Sequence, residues 1–316
     1  MSILDRILPG RRPEGRRARP AALPLAGARV LITGGGSGIG RLMAIGAAER
    51  GAAQVVVWDL SGESGAAVAA EVRKRGAEAL AVTVDVTSTD AVAEASRRSP
   101  EVDVVVNNAG VVTGTPLTEA KEEGIRRTFE VNALAPYWVT RAFLPGMLER
   151  NAGVVVTLAS AAGLVGVARQ TDYAASKHAA VGFAESLRAE LRKAGSAVRS
   201  LVVCPYYIDT GMFSGVETKV PLLLPILQPQ DVAAQVLDAV ESGAQQLFLP
   251  PGVRTLAPLR VLPVRAFDAV MDALGVNATM DRFTGRGGGP DPVTASPAAA
   301  TSPAEAGSGA ASVIGP

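Results

Sequence analysis

Residues 29–40 read Arg-Val-Leu-Ile-Thr-Gly-Gly-Gly-Ser-Gly-Ile-Gly, which places a short apolar run directly before a glycine-rich turn. A helical pattern follows over Ile39–Arg50, so this stretch predicts a strand, a tight turn and the start of a helix. Glycine lets the backbone turn sharply and approach a ligand closely, and a helix N-terminus offers unpaired N–H groups to an anion. The stretch therefore favours a diphosphate site, although a glycine cluster alone is also typical of a structural turn.

Short β-branched runs alternate with longer helical patterns along the rest of the chain. The predicted strands are Arg29–Thr33, Gln54–Trp58, Ala79–Val84, Asp103–Val106, Gly153–Leu158, Val198–Val203 and Gln246–Leu249. Besides the first helix, the patterns predict helices over Ser64–Arg75 and Asp172–Lys193. The strands are nearly continuous in Val, Leu and Ile, as expected where helices cover both faces of a sheet. The predicted fold class is α/β: a single doubly wound, parallel, seven-stranded sheet of the Rossmann type, which binds ligands at the carboxyl ends of its strands.

The two ends of the chain differ in composition from its middle. Residues 1–25 carry six arginines in the first 20 positions and predict a basic, flexible arm, with weak attraction to an anionic membrane surface as the alternative to a solvated tail. Residues 26–285 predict one folded domain with a C-terminal substrate or lid segment. Residues 286–316 have the Gly, Pro, Ala and Ser composition of a disordered tail.

Overall charge and residue counts exclude several classes of function. The formal net charge is +1, which gives no global attraction for nucleic acid. The lone Cys204 excludes an intramolecular disulfide, and together with the lone His178 it argues against a metal site. We expect Cys204 to be a small buried core residue and His178 to be structural. No apolar run is long enough for a membrane span, so we expect a cytoplasmic protein, peripheral to a membrane at most.

The end of the second predicted strand bears on the choice of nucleotide. Asp59 follows Trp58 there, where a carboxylate accepts hydrogen bonds from both hydroxyls of an adenosine ribose and repels a 2′-phosphate. Residues 60–62 contain no Lys or Arg, and Arg41 is the nearest opposing charge. NAD is therefore favoured over NADP.

A second group of polar residues marks a reacting end. Ser160 closes the fifth strand, and Tyr173 and Lys177 lie one turn apart on the long helix that follows. Residues at i and i+4 share a helix face, so we expect the ammonium beside the phenol, where it lowers the tyrosine pKa. In this interpretation Tyr173 exchanges a proton with an alcohol or carbonyl and Ser160 holds the substrate oxygen. Taken singly, such residues are more often surface pairs or turn formers.

These motifs occur together, in the order and at the spacing of one family. Thr33-Gly34-x-x-x-Gly38-Ile39-Gly40, Asp85, Asn107-Asn108-Ala109-Gly110 and Tyr173-x-x-x-Lys177 resemble the motif set of the classical short-chain dehydrogenase/reductase family over about residues 26–250. The resemblance implies catalytic roles for Asn132, Ser160, Tyr173 and Lys177. It implies cofactor contacts from Gly34, Ser37, Gly38, Ile39, Gly40, Asp59, Asp85, Val86, Asn107, Ala109, Gly110, Tyr173, Lys177, Pro205, Ile208 and Thr210. Within that set, Asp85 would contact the adenine, and Pro205 and Thr210 the carboxamide.

The substrate side resembles one branch of that family. Tyr206 follows Pro205 where the family usually has glycine, and the apolar stretch Leu222–Leu227 is similar to the branch of retinol dehydrogenases and lipid-droplet hydroxysteroid dehydrogenases. The resemblance implies an apolar alcohol or carbonyl substrate and a homodimer or homotetramer. We further expect a helix over Thr255–Leu274 docked on the core. Two alternatives stay open: an NADPH-dependent carbonyl reductase of lipid or polyketide metabolism, and a non-catalytic nucleotide-binding scaffold.

Overall fold

The computed structural model describes residues 22–285, which form a seven-stranded parallel sheet with helices on both faces. The strands are β1 (Arg29–Thr33), β2 (Gln54–Asp59), β3 (Glu78–Thr83), β4 (Val104–Asn107), β5 (Val154–Leu158), β6 (Arg199–Pro205) and β7 (Gln246–Leu249). Their order across the sheet is β3-β2-β1-β4-β5-β6-β7. The predicted fold class is confirmed, and the predicted strand limits differ from the observed ones by no more than two residues.

Helices connect every pair of consecutive strands, as parallel pairing requires. They are α1 (Gly38–Glu49), α2 (Gly62–Arg73), α3 (Thr89–Arg98), α4 (Glu122–Phe129), α5 (Ala135–Glu149), α6 (Thr171–Lys193) and α7 (Pro229–Ser242), followed after β7 by α8 (Leu256–Leu259) and α9 (Val264–Ala273). A π-helical turn over Glu130–Leu134 joins α4 to α5. From β1 the chain adds β2 and β3 on one side and then crosses over to add β4 on the other side. This change of side leaves a crevice at the carboxyl ends of β1 and β4.

Alternate residues of each strand face opposite layers of the core, which explains the continuous valine runs. In β1, Val30 and Ile32 pack with α1 and α7 on one face, and Leu31 packs with α5 and α6 on the other. Both sets are fully buried. Cys204 lies within β6, not at its end, and packs in the second layer as a buried thiol.

The N-terminal boundary of the folded part lies earlier than predicted. Leu25 is fully buried in the first core layer, and its backbone N–H donates to Glu241 Oε1 at 3.2 Å. Leu23 is partly buried against the same layer. The expected arm over residues 1–25 is therefore too long at its C-terminal end. Its remainder, residues 1–21, and the predicted tail, residues 286–316, lie outside the described residues.

The single helix predicted over residues 255–274 is wrong. The structure instead has the short helix α8 and the separate helix α9, joined by a turn around Arg260 and Pro263. Proline removes a backbone N–H and disfavours the helical conformation of the residue before it, so the first helix ends before Pro263 and a new one begins after it.

The glycine-rich turn packs tightly against its own helix. A Cβ on Gly40 would overlap the carbonyl oxygen of Gly34 and lie 2.6 Å from Asn108 Nδ2. Gly34 itself has φ +60°, a conformation that favours glycine. The close approach of α1 to the end of β1 therefore depends on the absence of a side chain at residue 40.

We expect Gly40→Ala to lower the free energy of unfolding by about 1–3 kcal/mol, because the methyl group forces α1 away from the turn. Urea denaturation followed by circular dichroism measures this change. Gly166→Ala is the matched control, since a Cβ there meets no atom within 4 Å. Equal stability of the two variants would contradict the tight packing of this turn.

Candidate active site

A cleft of about 280 Å³ opens at the carboxyl ends of the central strands. Most of the predicted site residues line it: Gly34, Ser37, Gly38, Ile39, Asp59, Asp85, Val86, Ala109, Gly110, Ser160, Tyr173, Lys177, Pro205, Ile208 and Thr210. Three do not, namely Gly40, Asn107 and Asn132, which lie behind its wall. Segments far apart in the sequence thus converge on one crevice.

The glycine-rich turn forms one end of the cleft. Ser37 precedes α1 in an extended conformation, and its side chain makes no capping hydrogen bond, so the first N–H groups of α1 face the cleft without a side-chain partner. Thr33 Oγ1 holds the turn to the end of β4 by accepting hydrogen bonds from the N–H groups of Asn108 and Ala109 at 3.0 and 3.1 Å. Such an open helix start is suited to an anionic group.

Asp59 is fixed at the end of β2 by the neighbouring backbone. Its Oδ2 accepts from Gly36 N at 2.8 Å, and its Oδ1 accepts from Ser61 N at 2.9 Å. A carboxylate oxygen accepts more than one hydrogen bond, so both oxygens keep capacity for ligand hydroxyls. The carboxylate is therefore oriented toward the cleft before any ligand binds.

The opposing charge that the sequence singled out is neutralised. The guanidinium of Arg41 forms a bidentate pair with Glu71, with Nε–Oε1 and Nη2–Oε2 distances of 2.9 and 2.6 Å. Hydrogen bonding from Arg41 lowers the pKa of the Glu71 carboxyl. Arg41 does not line the cleft. Its charge is thus directed to α2 and away from the end of β2.

Asp85 lies in the cleft wall beside a cation that the sequence did not reveal. Its Oδ1 accepts from the backbone N–H and hydroxyl of Thr87, and Arg127 Nη1 lies 3.3 Å from Oδ2. Burial alone would raise the pKa of Asp85, but the Thr87 hydrogen bonds and the Arg127 charge lower it overall. Arg127 comes from α4, more than forty residues away, and no local pattern indicates the pairing.

The two adjacent asparagines at the end of β4 take different positions. Asn107, which the resemblance placed at the cofactor, is buried and donates to Thr140 Oγ1 at 3.1 Å. Asn108 lines the cleft, and its Nδ2 donates to the carbonyl oxygens of Thr33 and Gly34 at 2.9 and 3.1 Å. The order of residues alone does not decide which side chain turns inward, because Asn107 ends β4 and Asn108 directly follows it.

Ser160, Tyr173 and Lys177 meet at the other end of the cleft. Lys177 Nζ lies 5.7 Å from the centroid of the Tyr173 ring and donates to the carbonyl oxygen of Leu158 at 2.8 Å. Ser160 Oγ accepts from Ala162 N at 3.1 Å, and its only acceptor among the described residues is Pro205 O at 3.5 Å. Its hydroxyl hydrogen therefore stays available to a ligand oxygen.

Burial controls the protonation of the pair. Desolvation raises the pKa of the Tyr173 phenol to about 12, although the neighbouring Ser160 lowers it in part. Desolvation also lowers the pKa of the Lys177 ammonium to about 8. The sequence predicted a lowered tyrosine pKa, and this direction is wrong for the protein alone. The ammonium is directed to Leu158 O, and its attraction does not outweigh the loss of solvent around the phenol.

Asn132 lies in the π-helical turn next to this pair. Its Oδ1 accepts from Val111 N at 2.9 Å, and its Nδ2 donates to Val111 O and to Ser176 Oγ. A Cβ on Gly110 would lie 3.4 Å from Asn132 Oδ1 and 3.6 Å from Lys177 Nζ, so all three residues are close neighbours. The hydrogen bonds of the Asn132 amide thus hold the loop after β4 against α6.

The wall beyond Tyr173 is aromatic and apolar. Phe213 packs edge-on against Tyr173 and against Tyr207, with ring centroids 5.7 and 5.1 Å apart. The wall also includes Val165, Val167, Tyr206, Met212, Leu224, Leu256 and Val276. Gln170 is a buried exception that the sequence did not single out, and its Nε2 donates to the Tyr207 hydroxyl at 3.3 Å. This end of the cleft is suited to a large apolar group.

His178 makes structural contacts outside the cleft. The His178 ring contacts Ala174 O at 2.8 Å and Arg260 Nη1 at 3.2 Å, and it lies outside the cleft wall. Among residues 22–285 no group of His, Cys, Asp and Glu side chains is arranged to hold a metal ion. Within the same range, no helix combines the length and apolar character that crossing a membrane requires.

The comparisons with known proteins all indicate the same family. The profile of the short chain dehydrogenase family matches residues 28–221. The chain is 38% identical over 269 residues to epidermal retinol dehydrogenase 2 of Mus musculus, covering 83% of this chain and 87% of that protein. It is 38% identical over 258 residues to estradiol 17-beta-dehydrogenase 11 of Rattus norvegicus, covering 80% and 85% of the two chains.

Two solved structures share the fold. A short-chain dehydrogenase/reductase of Burkholderia phymatum in complex with NAD matches with a TM-score of 0.69 and 28% identity, covering 77% of this chain and 96% of the other. A short-chain dehydrogenase of Burkholderia cenocepacia in complex with NADP matches with a TM-score of 0.67 and 27% identity, covering 80% and 99%. Both cofactors therefore occur among similar structures.

The burial of Lys177 predicts a pH dependence of stability. Between about pH 8 and its ordinary pKa of 10.5, the unfolded chain keeps a proton on this side chain that the folded chain has lost. Stability then rises with pH across this window. The unfolding free energy of the wild type should rise, relative to Lys177→Met, by up to about 3 kcal/mol over the window. Urea denaturation at several pH values measures this difference.

Lys193→Met, at the exposed C-terminal end of the same helix, is the control for that experiment. Its stability should run parallel to the wild type at every pH. A wild-type curve parallel to that of Lys177→Met would show that the ammonium is not desolvated on folding.

Proposed function

The chain belongs to the short-chain dehydrogenase family, and on this basis we propose that it transfers hydride between NAD and a large apolar alcohol or its carbonyl. Oxidoreductase activity on alcohols with a nicotinamide cofactor follows from the family and its retinol and steroid dehydrogenase branch. The observation that carries the rest is the buried pair of Tyr173 and Lys177, which lies in one cleft with the glycine turn and the aromatic wall.

In the proposed mechanism Tyr173 is the proton-transferring group. Its raised pKa keeps the phenol protonated at neutral pH, so it donates a proton to a carbonyl oxygen and regains it in the reverse direction. A bound nicotinamide would supply or accept the hydride. Ser160 orients the substrate oxygen with its hydroxyl group, whose hydrogen bond to Pro205 O is long at 3.5 Å. For Asn132 the resemblance implies support of a water relay that leads from Lys177.

Lys177 has two tasks in this proposal. Its pKa of about 8 leaves it largely charged at neutral pH, and the hydrogen bond to Leu158 O fixes the ammonium close to the Tyr173 ring. A fixed positive charge favours any developing tyrosinate and holds ribose hydroxyls as hydrogen-bond acceptors. It therefore assists proton transfer without itself exchanging the substrate proton.

The proposed preference for NAD rests on Asp59 and Arg41. The oriented Asp59 carboxylate would accept hydrogen bonds from ribose hydroxyls and repel a 2′-phosphate, while Arg41 is paired with Glu71. The rival proposal is an NADPH-dependent carbonyl reductase, which is supported by the similarity to a short-chain dehydrogenase that was solved with NADP. A non-catalytic scaffold is disfavoured, because Ser160, Tyr173 and Lys177 are all present in the cleft.

The proposed substrate is an apolar alcohol of the retinoid, steroid or long-chain type. The wall beyond Tyr173 buries aromatic and aliphatic side chains, and burial of apolar surface would supply most of the binding free energy. Retinol and estradiol, the compounds in the names of two similar proteins, belong to this chemical class. We also propose a cytoplasmic homo-oligomer, which the half-exposed Leu134, Tyr137 and Leu148 of the α5 region support as a contact face.

Tyr173→Phe should reduce kcat by about 10²-fold or more and leave dinucleotide affinity unchanged, because only the proton-transferring oxygen is removed. Steady-state turnover and nucleotide fluorescence titration measure the two quantities. Tyr137→Phe, a half-exposed tyrosine outside the cleft, is the matched control and should keep full activity. Near-normal turnover of Tyr173→Phe would mean that another group moves the proton.

Replacing Asp59 should shift the ratio of kcat/KM for NAD over NADP by about tenfold or more toward NADP, equivalent to about 1.4 kcal/mol. Two variants are compared, Asp59→Ala and Asp59→Asn. The asparagine keeps an acceptor for the N–H of Gly36 and removes only the negative charge. Glu63→Ala, an exposed acid on the neighbouring helix α2, is the control. An unchanged cofactor ratio in both Asp59 variants would refute the ribose argument.

A further inference from the structure

A buried amide that the proposed mechanism does not use lies in the wall of the cleft. Gln170 directly precedes α6 and is only 1% exposed, yet it lines the apolar end of the cleft. The same wall includes the apolar side chains Val165, Val167 and Phe213. Glutamine side chains are mostly exposed in proteins, and a buried amide needs hydrogen-bond partners. The partners of Gln170 therefore indicate what this side chain does.

A relay of two hydroxyl groups fixes the nitrogen of this amide. Gln170 Nε2 donates to the Tyr207 hydroxyl at 3.3 Å, and that hydroxyl lies 2.8 Å from Thr279 Oγ1. Thr279 Oγ1 donates its own hydrogen to Val276 O at 2.8 Å. Because a hydroxyl group has a single hydrogen, Tyr207 donates to Thr279 and accepts from Gln170. Burial raises the pKa of the Tyr207 phenol, so it keeps this hydrogen at neutral pH.

The oxygen of the same amide has no partner in the protein. Among residues 22–285 no N–H or O–H group donates to Gln170 Oε1. Asn107 Oδ1 also lacks a partner but is sealed by protein atoms, whereas Gln170 Oε1 is not sealed. Because Gln170 lines the cleft, the space beside this oxygen is the space that a substrate would fill. A carbonyl oxygen in an apolar wall favours a ligand group that donates a hydrogen bond to it.

The amide is separated from the reacting groups by an aromatic ring. Phe213 packs edge-on against Tyr173 and against Tyr207, so it lies between the reacting phenol and the phenol that holds Gln170. Ser160, Tyr173 and Gln170 nevertheless line one continuous cleft. One substrate can therefore place its reacting carbon at Tyr173 and a more distant group at Gln170.

A purely structural role does not account for both ends of the amide. The relay is complete without Gln170, because Tyr207 still donates to Thr279 and Thr279 still donates to Val276 O. An amide that only held the fold together would bond to protein through its oxygen as well as its nitrogen. In the structure the nitrogen is held and the oxygen is presented to the cleft, which is the arrangement that ligand recognition requires.

We propose that Gln170 determines specificity: its Oε1 accepts a hydrogen bond from a second hydroxyl group of the substrate, remote from the carbon that is oxidised. The substrate is then an apolar alcohol with hydroxyl groups at two separate positions. Tyr207 and Thr279 are positioning residues, because they hold the amide in the orientation that presents its oxygen. The reaction of this substrate rests on the function proposed above, whereas its binding to Gln170 does not require turnover.

Matched pairs of alcohols test this role with the full chain. Linear diols from 1,6-hexanediol to 1,12-dodecanediol are compared with the 1-alkanols of the same length, so that one end reacts while the other reaches Gln170. In the wild type the ratio of kcat/KM for diol over monoalcohol should pass through a maximum at one chain length. Gln170→Leu should lower the ratio at that length by about tenfold or more, because the second hydroxyl then enters an apolar wall without an acceptor.

Two further variants separate recognition from a structural effect. Gln235→Leu is the matched control, because Gln235 is an exposed glutamine of α7 outside the cleft, and it should keep the wild-type ratio. Tyr207→Phe releases the amide nitrogen and should lower the ratio less than Gln170→Leu does. A ratio without a maximum, a loss in Gln170→Leu that is equal for diol and monoalcohol, or a ratio lost only in Tyr207→Phe overturns the proposal.

Calorimetric binding to a non-reacting variant keeps this test apart from the proposed chemistry. Across the diol series, Tyr173→Phe should bind one length about tenfold more tightly than Tyr173→Phe/Gln170→Leu does, with or without NAD. Equal affinities of the two variants for every diol overturn the role of Gln170, even where the wild type oxidises these alcohols. A difference in affinity beside a wild type that oxidises no alcohol supports the role of Gln170 and refutes the proposed function alone.

Discussion

One carbonyl oxygen, that of Gly34, joins the three elements on which the cleft depends. It directly follows β1, it lies against Gly40 in the first turn of α1, and it accepts a hydrogen bond from Asn108 after β4. A side chain at residue 40 would separate these elements. Because α1 sits so close, its N-terminal N–H groups face the crevice between β1 and β4, and Thr33 and Asp59 fix the flanking loops to the same turn.

At the opposite end of the cleft, desolvation is the dominant physical effect. Tyr173 and Lys177 come from one helix and share one buried site. Burial raises the pKa of Tyr173 and lowers that of Lys177, so it favours the neutral form of each side chain. The ammonium is held by a backbone carbonyl of β5, so the sheet determines its position as much as the helix does. The chemistry of the pair therefore depends on the groups that surround it, and Asn132 and Gly110 are the nearest of these.

The C-terminal third of the described chain completes the molecule in a different way. Its buried residues close the apolar end of the cleft, and its exposed ones include the large apolar side chains Leu222, Val261 and Val264. Pro263 divides this region into two helices, so Val261 lies in the turn between them and Val264 begins the second helix, and the two do not belong to one continuous amphipathic helix. The break between the two helices thus lies outside the cleft wall, away from the catalytic groups.

Three features were predictable from the order of residues: the strand–turn–helix around Gly34, the parallel sheet, and the shared helix face of Tyr173 and Lys177. These features depend on contacts within a turn of chain or on a hydrophobic pattern repeated in every strand. Three others become visible only in the folded chain: Asn108 faces the cleft in place of Asn107, Arg127 pairs with Asp85, and the pKa of Tyr173 is raised. Each of these depends on which side chains from distant segments pack around the group, and no local pattern in the chain encodes that surrounding.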